Sequence, residues 1–403
     1  MRGDSLAPQD MRAVLGSLLR SMQIAEGRSH FLFARSQDFA DCDVLDGALA
    51  GMEPGAVGRL ASSFATMFDL APEHATALEQ LGALRDWPEY VFRQWRRGSP
   101  TVVFMTSGST GQPVPCRQDV ELLVQEIRAH ADMFGDRARI LAAVPRHHIY
   151  GFLFAVLLPK ALGVPVLDLP PVPSISMTGQ LRDGDMLVAF PMFWKGLSQL
   201  AAAFPQGVHG ITSTGPCPPE VIETLLGMGL QRMTEVYGSS ETGGLGIRHD
   251  CRSPYTLLPF WRRCPDVTDD VAGVIRTLPG GSDSAPCRLP DMVAWEGDRS
   301  FRPVRRTDKA VQVAGVNVYP DRIAAIIRSH PDVADCAVRP MRAEEGDRLK
   351  AFVVPAAGVL PEALRQELAG WLGRHLTPPE TPKLLTFGAT LPVNAMGKAS
   401  DWD

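Results

Sequence analysis

Apolar positions along the chain follow two different periods. Between residues 5 and 95 they recur at helical spacing: Leu15, Leu18, Leu19 and Met22 share a face, as do Leu78, Leu81 and Leu84 after the turn signal at Pro72. A largely helical N-terminal region is expected there. From residue 101 the period shortens. Thr101-Val102-Val103-Phe104-Met105 is a β-branched, apolar run ending in a Ser/Gly/Thr cluster, the pattern of a buried strand entering a loop. Comparable runs follow at 140–144, 164–167, 186–190, 210–212 and 233–237, separated by helical patterns such as 119–134 and 219–226. Strands alternating with helices predict an α/β fold with a substantial parallel sheet.

Residues 250–300, rich in Arg, Pro, Gly and Asp, are expected to form a smaller β-rich subdomain. Beyond Arg306 the pattern restarts: strand-like at 310–318, helical at 320–329, strand-like at 336–338 and 349–354, and helical at 361–375. This predicts a small, mobile α+β domain of about 95 residues. The expected division is therefore a large N-terminal domain, 1–307, and a C-terminal domain, 308–403, with the hinge at Asp308.

Composition narrows the function. The 403 residues are 45% hydrophobic and 21% charged, an ordinary globular balance that needs neither disulfide nor structural metal to fold. A net charge of -5 argues against a nucleic-acid-binding surface. The seven cysteines include no C-x-x-C pair, which points to free thiols in a reducing cytoplasm. No signal peptide is apparent at the start, and the apolar stretch 149–169 is interrupted by Pro159 and Lys160, so no membrane span is expected.

Chemistry concentrates in a few segments. Met105-Thr106-Ser107-Gly108-Ser109-Thr110-Gly111-Gln112-Pro113 combines glycines that allow close backbone approach with hydroxyls and N–H groups suited to phosphate oxygens. It lacks the G-K-[ST] ending of a Walker A loop. Further on stand Glu235-Val236-Tyr237-Gly238-Ser239-Ser240-Glu241-Thr242, then Asp291, then Arg306-Thr307-Asp308, and finally Pro392-Val393-Asn394-Ala395-Met396-Gly397-Lys398. Taken in order, these resemble the motifs of the adenylate-forming superfamily: acyl-CoA synthetases, peptide-synthetase adenylation domains and luciferases. The departures are Val114 where the loop lysine is expected, Arg305 in place of a glycine, Gln312 where a lysine is frequent, and fewer residues than usual before the loop.

The resemblance implies ATP and Mg²⁺. Thr106, Ser107, Gly108, Ser109, Thr110 and Gly111 would cradle phosphate, with Ser240 beside them. Glu241 would hold the Mg²⁺, which takes one or two carboxylates plus phosphate oxygens. Asp291 offers two acceptors to the ribose hydroxyls, and Arg306 would bond ribose or phosphate. Lys398 would neutralise charge at the α-phosphate and the acid's carboxylate. Pro145-Arg146-His147-His148-Ile149-Tyr150-Gly151-Phe152 resembles the acid-pocket stretch of aryl- and acyl-CoA ligases, with His148 as the pocket histidine. On a strand His147 and His148 would point to opposite faces, which disfavours a shared metal. Ser213, Thr214 and Gly215, with Tyr237 and Gly238, resemble the strip over which adenine and the acid's ring lie.

No acidic residue occurs between 149 and 157, which disfavours an α-amino acid substrate; His148, Tyr150 and Tyr237 suit a flat aromatic hydroxy acid such as 3- or 4-hydroxybenzoate. The compact pattern resembles ligases of aryl-polyene and xanthomonadin pigment clusters, which load such an acid onto an acyl carrier protein. A ligase of 4-coumarate type using CoA is the alternative within enzymes. A non-catalytic nucleotide-binding module is the alternative outside them.

Overall fold

A computed structural model describes residues 6–25, 52–81, 83–98, 100–107, 113–200, 203–264, 273–307, 310–313, 316–342, 345–346, 348–392 and 402. The chain divides into two compact units. One comprises 1–106, 115–289 and 293–303; the other comprises 107–114, 290–292 and 304–403. Asp308, Lys398 and the loop residues Gly108, Ser109, Thr110 and Gly111 lie outside the described residues.

The first unit opens with helices α1 (Pro8–Ala25), α2 (Ala56–Met67), α3 (Pro72–Leu81) and α4 (Trp87–Trp95). Strands β1 (Thr101–Ser107) and β2 (Pro113–Asp119) pair as a two-stranded ribbon. Helix α5 (Val120–Phe134) begins directly after β2 because the Asp119 carboxylate accepts the Glu121 N–H at 2.8 Å, an N-cap.

Next come β3 (Arg139–Ala142), α6 (Ile149–Phe152), a π-helical turn (Leu153–Leu157), α7 (Leu158–Leu162), β4 (Val166–Asp168), β5 (Asp185–Ala189) and β6 (His209–Thr212). They are followed by β7 (Arg232–Ser239), β8 (Gly243–Arg248), β9 (Tyr255–Leu257), β10 (Trp261–Arg263), β11 (Gly273–Arg276), β12 (Cys287–Arg288), β13 (Asp291–Trp295) and β14 (Ser300–Arg306). Nine of these strands form one sheet in the order β13-β14-β9-β8-β7-β6-β5-β3-β4. The run β7-β6-β5-β3-β4 is parallel throughout, while β8 and β9 join antiparallel.

Alternation within the parallel strands sorts their side chains. Ile140, Ala142, Met186, Val188 and Ile211 enter the core built with the N-terminal helices and α5. Leu141, Ala143, Leu187 and Ala189 enter the opposite core, around Trp194, Phe193 and Ile222. Both faces are covered, so the strands read as continuous apolar runs.

The expected β-rich subdomain at 250–300 is corrected in part. Only β10, β11 and β12 form a separate small sheet, whereas β9, β13 and β14 extend the main one. Phe301 on β14, fully buried, seals that extension against Tyr237, Tyr255 and Trp295. Among the described residues no helix is long and apolar enough to cross a membrane.

In the second unit the run expected as one strand at 310–318 is a hairpin, β15 (Val311–Val313) against β16 (Val316–Val318). Helix α8 (Pro320–Arg328), strands β17 (Val333–Pro340) and β18 (Leu349–Pro355), helix α9 (Pro361–His375) and β19 (Leu384–Phe387) complete it. Its own apolar core joins Ile323 and Ile327 to Leu364, Leu368 and Leu372.

A polar cluster ties this unit together. Glu345 accepts from Arg339 at 2.8 and 3.1 Å, from the Arg342 N–H at 2.7 Å and from the buried Lys350. Those donors hold its carboxyl well below the usual glutamate range, with the Arg339 hydrogen bond the leading cause. A depressed carboxyl pKa stabilises the fold above the unfolded-state value and loses that contribution as pH falls through it. Wild-type protein should therefore lose stability on acidification from ~pH 7 to ~pH 3, and Glu345→Gln should be less stable at neutrality but lose less on acidification. Thermal unfolding at both pH values measures this; parallel curves would remove the role given to Glu345.

Candidate active site

Parallel strands all end at the same edge of a sheet, and ligands of open α/β sheets bind beyond those carboxyl ends. The segments singled out in the sequence follow three of those ends: Pro145–His148 after β3, Ser213–Gly215 after β6, and Ser240–Glu241 after β7. All three belong to the first unit.

Beyond β3 the chain turns instead of continuing as a strand, so His147 and His148 do not alternate in direction as expected. Their rings lie side by side, centroids 4.6 Å apart, immediately before α6. The turn is closed by the His148 N–H donating to the Pro145 carbonyl at 3.2 Å. It also requires Gly151, where an added Cβ would lie 2.0 Å from the Pro145 carbonyl oxygen.

Helix α1 braces this turn from far away in the sequence. Ser17 Oγ accepts the Arg146 N–H at 2.9 Å and lies 2.9 Å from His147 Nδ1. Asp168, at the end of β4, pairs with Arg146 at 2.8 Å and with Arg20 at 3.4 Å. Sequence reasoning missed Ser17 and Asp168, because nothing local in α1 or β4 marks them as partners of the histidine turn. Burial, then His148 and Arg20, hold the His147 pKa well below the usual imidazole range. His148 keeps an exposed face, yet desolvation by surrounding protein lowers its pKa as well. Both shifts disfavour the charged imidazolium.

Tyr150 is tied to the sheet by its hydroxyl. Its ring is buried, and its hydroxyl lies 3.1 Å from the Ala189 carbonyl and 2.9 Å from the Ile211 carbonyl, at the ends of β5 and β6. The single phenolic proton is committed to main-chain acceptors, so its hydroxyl secures the helix to the sheet and is not offered as a donor to a substrate's ring hydroxyl.

Ser213 donates its hydroxyl to the Val236 carbonyl at 2.8 Å, which joins the ends of β6 and β7. Thr214 is exposed and has φ 75°, a left-handed conformation costly for a β-branched residue. Strain of about 1–3 kcal/mol of this kind collects at ligand-binding sites. Gly215, partly buried, follows it. Tyr237 is half-buried against Phe301 at 5.2 Å, and the pairing with β8 shifts register between Tyr237 and Gly238.

The turn Ser240-Glu241-Thr242 joins β7 to β8, with Glu241 exposed and Ser240 half-buried. Glu241 offers one carboxylate, the donor set of a hard cation that takes its remaining ligands from phosphate and water; the residue fits Mg²⁺ in that mode. Its charge raises the pKa of Cys116 and Cys287, behind the effect of their burial.

Thr106 ends the first unit's share of β1, and of Ser107 only the backbone is described. Within the second unit Asp291 and Arg306 face each other, Oδ1 to Nη1 3.9 Å, beside the Thr307 N–H that donates to the Pro290 carbonyl at 3.0 Å. A surface cavity of about 950 Å³ lies elsewhere, lined by α5 residues Gln125 and Met133, by Arg248 and His249, and by Leu257 and Phe260; none of the motif residues borders it.

Tyr150→Phe should lower stability by about 1 kcal/mol, the value of one buried hydrogen bond, with the acid's KM changed less than about twofold. A large rise in that KM with unchanged thermal unfolding would restore the hydroxyl to the substrate.

Two family models match the chain: AMP-binding enzyme over residues 21–268 and AMP-binding enzyme C-terminal domain over residues 322–398. A 4-coumarate–CoA ligase of Halorhodospira halophila is 39% identical over 298 residues, 74% of each chain. One of Rhodobacter capsulatus is 36% identical over 330 residues, 79% of this chain and 81% of the relative. Among solved structures, an amide bond synthetase from Marinactinospora thermotolerans superposes with TM-score 0.65 at 18% identity, covering 96% of this chain and 92% of the other. A malonyl-CoA ligase in a product complex gives 0.59 at 21% identity, covering 72% and 71%; these two likenesses concern the fold. Ordered motifs, strand-end placement and matches across both regions lead to one conclusion: the chain belongs to the AMP-binding enzyme family and is an AMP-forming acid–thiol ligase.

Proposed function

We propose that the chain activates an aromatic hydroxy acid with ATP and transfers the acyl group to CoA. The observation that carries this reading is the similarity, over three-quarters of both chains, to enzymes named 4-coumarate–CoA ligase. It favours CoA over the acyl carrier protein expected from the sequence, and it widens the acid from hydroxybenzoate to hydroxycinnamate. The His147–His148 pair, whose charged forms are disfavoured by desolvation, and the buried, uncharged run from Tyr150 to Leu158 support an acid without an amino group.

In the first half-reaction a carboxylate oxygen forms a bond to the α-phosphorus while the bond to pyrophosphate breaks. In the second, the thiol gives up its proton to water, its sulfur bonds to the acyl carbon, and AMP leaves with the acyl–oxygen bond's electron pair. Mg²⁺, when bound, would screen the phosphate charge. Glu241 is the residue proposed to hold it, and Thr106, Ser107 and Ser240 would donate to phosphate oxygens. Asp291 would bond the ribose, Arg306 the ribose or phosphate, and His148 would receive the acid's ring hydroxyl. Lys398 would neutralise charge in the first half-reaction, and Asp308 is proposed as the hinge between the half-reactions.

Pyrophosphate exchange should be measured with 4-coumarate, caffeate, 3- and 4-hydroxybenzoate, benzoate, octanoate and phenylalanine, then thioester formation on CoA and on holo-carrier protein. The hydroxylated aromatic acids should exceed benzoate by more than roughly tenfold, since a site built to bond a hydroxyl rejects an analogue lacking it. Preference for octanoate or phenylalanine would refute the aromatic pocket; loading of the carrier without CoA would reinstate the carrier protein as acceptor.

Lys398→Ala should reduce adenylation by roughly 10²-fold while sparing transfer from a supplied acyl-adenylate. Equal losses in both half-reactions would withdraw its assignment.

A further inference from the structure

Two buried side chains outside every motif converge on the turn that carries Glu241. Gln118, near the end of β2 and 5% exposed, donates its amide to the carbonyl of Ser240 at 2.5 Å and to that of Glu241 at 3.0 Å. Cys116, on the same face of the strand, adds its thiol to the Ser240 carbonyl at 2.9 Å. At the other end of the turn Glu126, in the middle of α5 and fully buried, lies with both carboxyl oxygens 3.0 Å from the Gly244 nitrogen and accepts its N–H. The fit is close: a Cβ on Gly243, whose φ is 67°, would stand 2.5 Å from Glu126 Oε2. Between these anchors the Thr242 hydroxyl accepts the Ser239 N–H at 3.1 Å and closes the turn on itself.

A buried carboxyl group is expensive unless it is hydrogen-bonded, and an apolar residue would fill the same place at lower cost. Glu126 sits on the apolar face of its helix, among Leu123, Ile127 and Phe134, and its neighbours there are His130, 3.4 Å away, and the buried Arg276. Its hydrogen bond goes to the turn's backbone. Gln118 is likewise placed on main-chain carbonyls of the turn, outside the ladder of β7 and β8.

We infer that Gln118 and Glu126 are positioning residues: one from each side, they fix the Ser239–Gly244 backbone and so set where the Glu241 carboxylate points. This rests on the reading of Glu241 as the group that meets Mg²⁺ and ATP phosphate. Because β2 and α5 follow the Ser/Gly-rich loop directly in the chain, the clamp also couples the segment after that loop to the Glu241 turn.

The test compares Gln118→Leu, Glu126→Leu and Glu126→Gln in the full-length protein. Each leucine variant should raise the KM for MgATP about tenfold, the scale of one unsatisfied buried polar group, and leave the acid's KM within about twofold. Glu126→Gln, which retains an oxygen acceptor, should recover most of the loss. Hydrogen exchange of the 239–244 amides should be faster in Gln118→Leu, with thermal unfolding little changed. Equal rises in both KM values, or an unchanged MgATP KM in a folded leucine variant, would overturn the clamp. If wild-type protein exchanges pyrophosphate with no acid, the adenylation reading falls by itself; the clamp is then decided by amide exchange, and unaltered protection in Gln118→Leu would overturn it.

Discussion

The chemistry depends on the shared direction of five neighbouring strands. Because β7, β6, β5, β3 and β4 run parallel, their carboxyl ends lie along one edge, and loops distant in sequence emerge together. Parallel pairing in turn demands cover on both faces, which the alternating side chains of β3 and β5 secure by feeding two separate cores. The faces of these strands are apolar, and the polar segments of the first unit follow their ends. Tyr150 illustrates the economy of that edge, its hydroxyl reaching carbonyls near the ends of two adjacent strands.

The edge is stiffened by polar side chains that reach main-chain atoms. Ser213 ties β6 to β7, Ser17 holds the Arg146 N–H, and Gln118 and Glu126 take the carbonyls and N–H of the Glu241 turn. A side chain bonded to backbone constrains a loop more directly than one bonded to another mobile side chain. The left-handed Thr214 fits this picture, since unfavourable backbone persists where neighbouring contacts over-determine it.

Much of this was legible in the sequence for identifiable reasons. The parallel strands are buried on both faces, so 140–144 and 186–190 stand out as apolar runs, and motif segments sit at the strand ends. The hairpin at 311–318 was not legible, because Val311-Gln312-Val313 and Val316-Asn317-Val318 alternate alike and nothing in the period marks the reversal between them. Nor was the extension of the main sheet by β9 and β14, since pairing such as Phe301 with Tyr255 is set by long-range packing. The histidine turn was misread as strand; Gly151, needed for its close approach to Pro145, carried the signal. Glu126 also left a trace, as an acidic residue on the apolar stripe Leu123, Ile127, Phe134.

Val114, in place of the lysine expected after the phosphate loop, removes a mobile charge from that segment. A lysine is a point charge on a flexible stem, whereas a turn fixed through its backbone holds its carboxylate at little further entropic cost. The clamp from Gln118 and Glu126 acts on the residue proposed to face the same phosphates, and it arises from the segment that begins just after Val114. In this chain, then, the backbone of the turn that carries Glu241 is held by buried hydrogen bonds, while the position after the Ser/Gly-rich loop carries no charge.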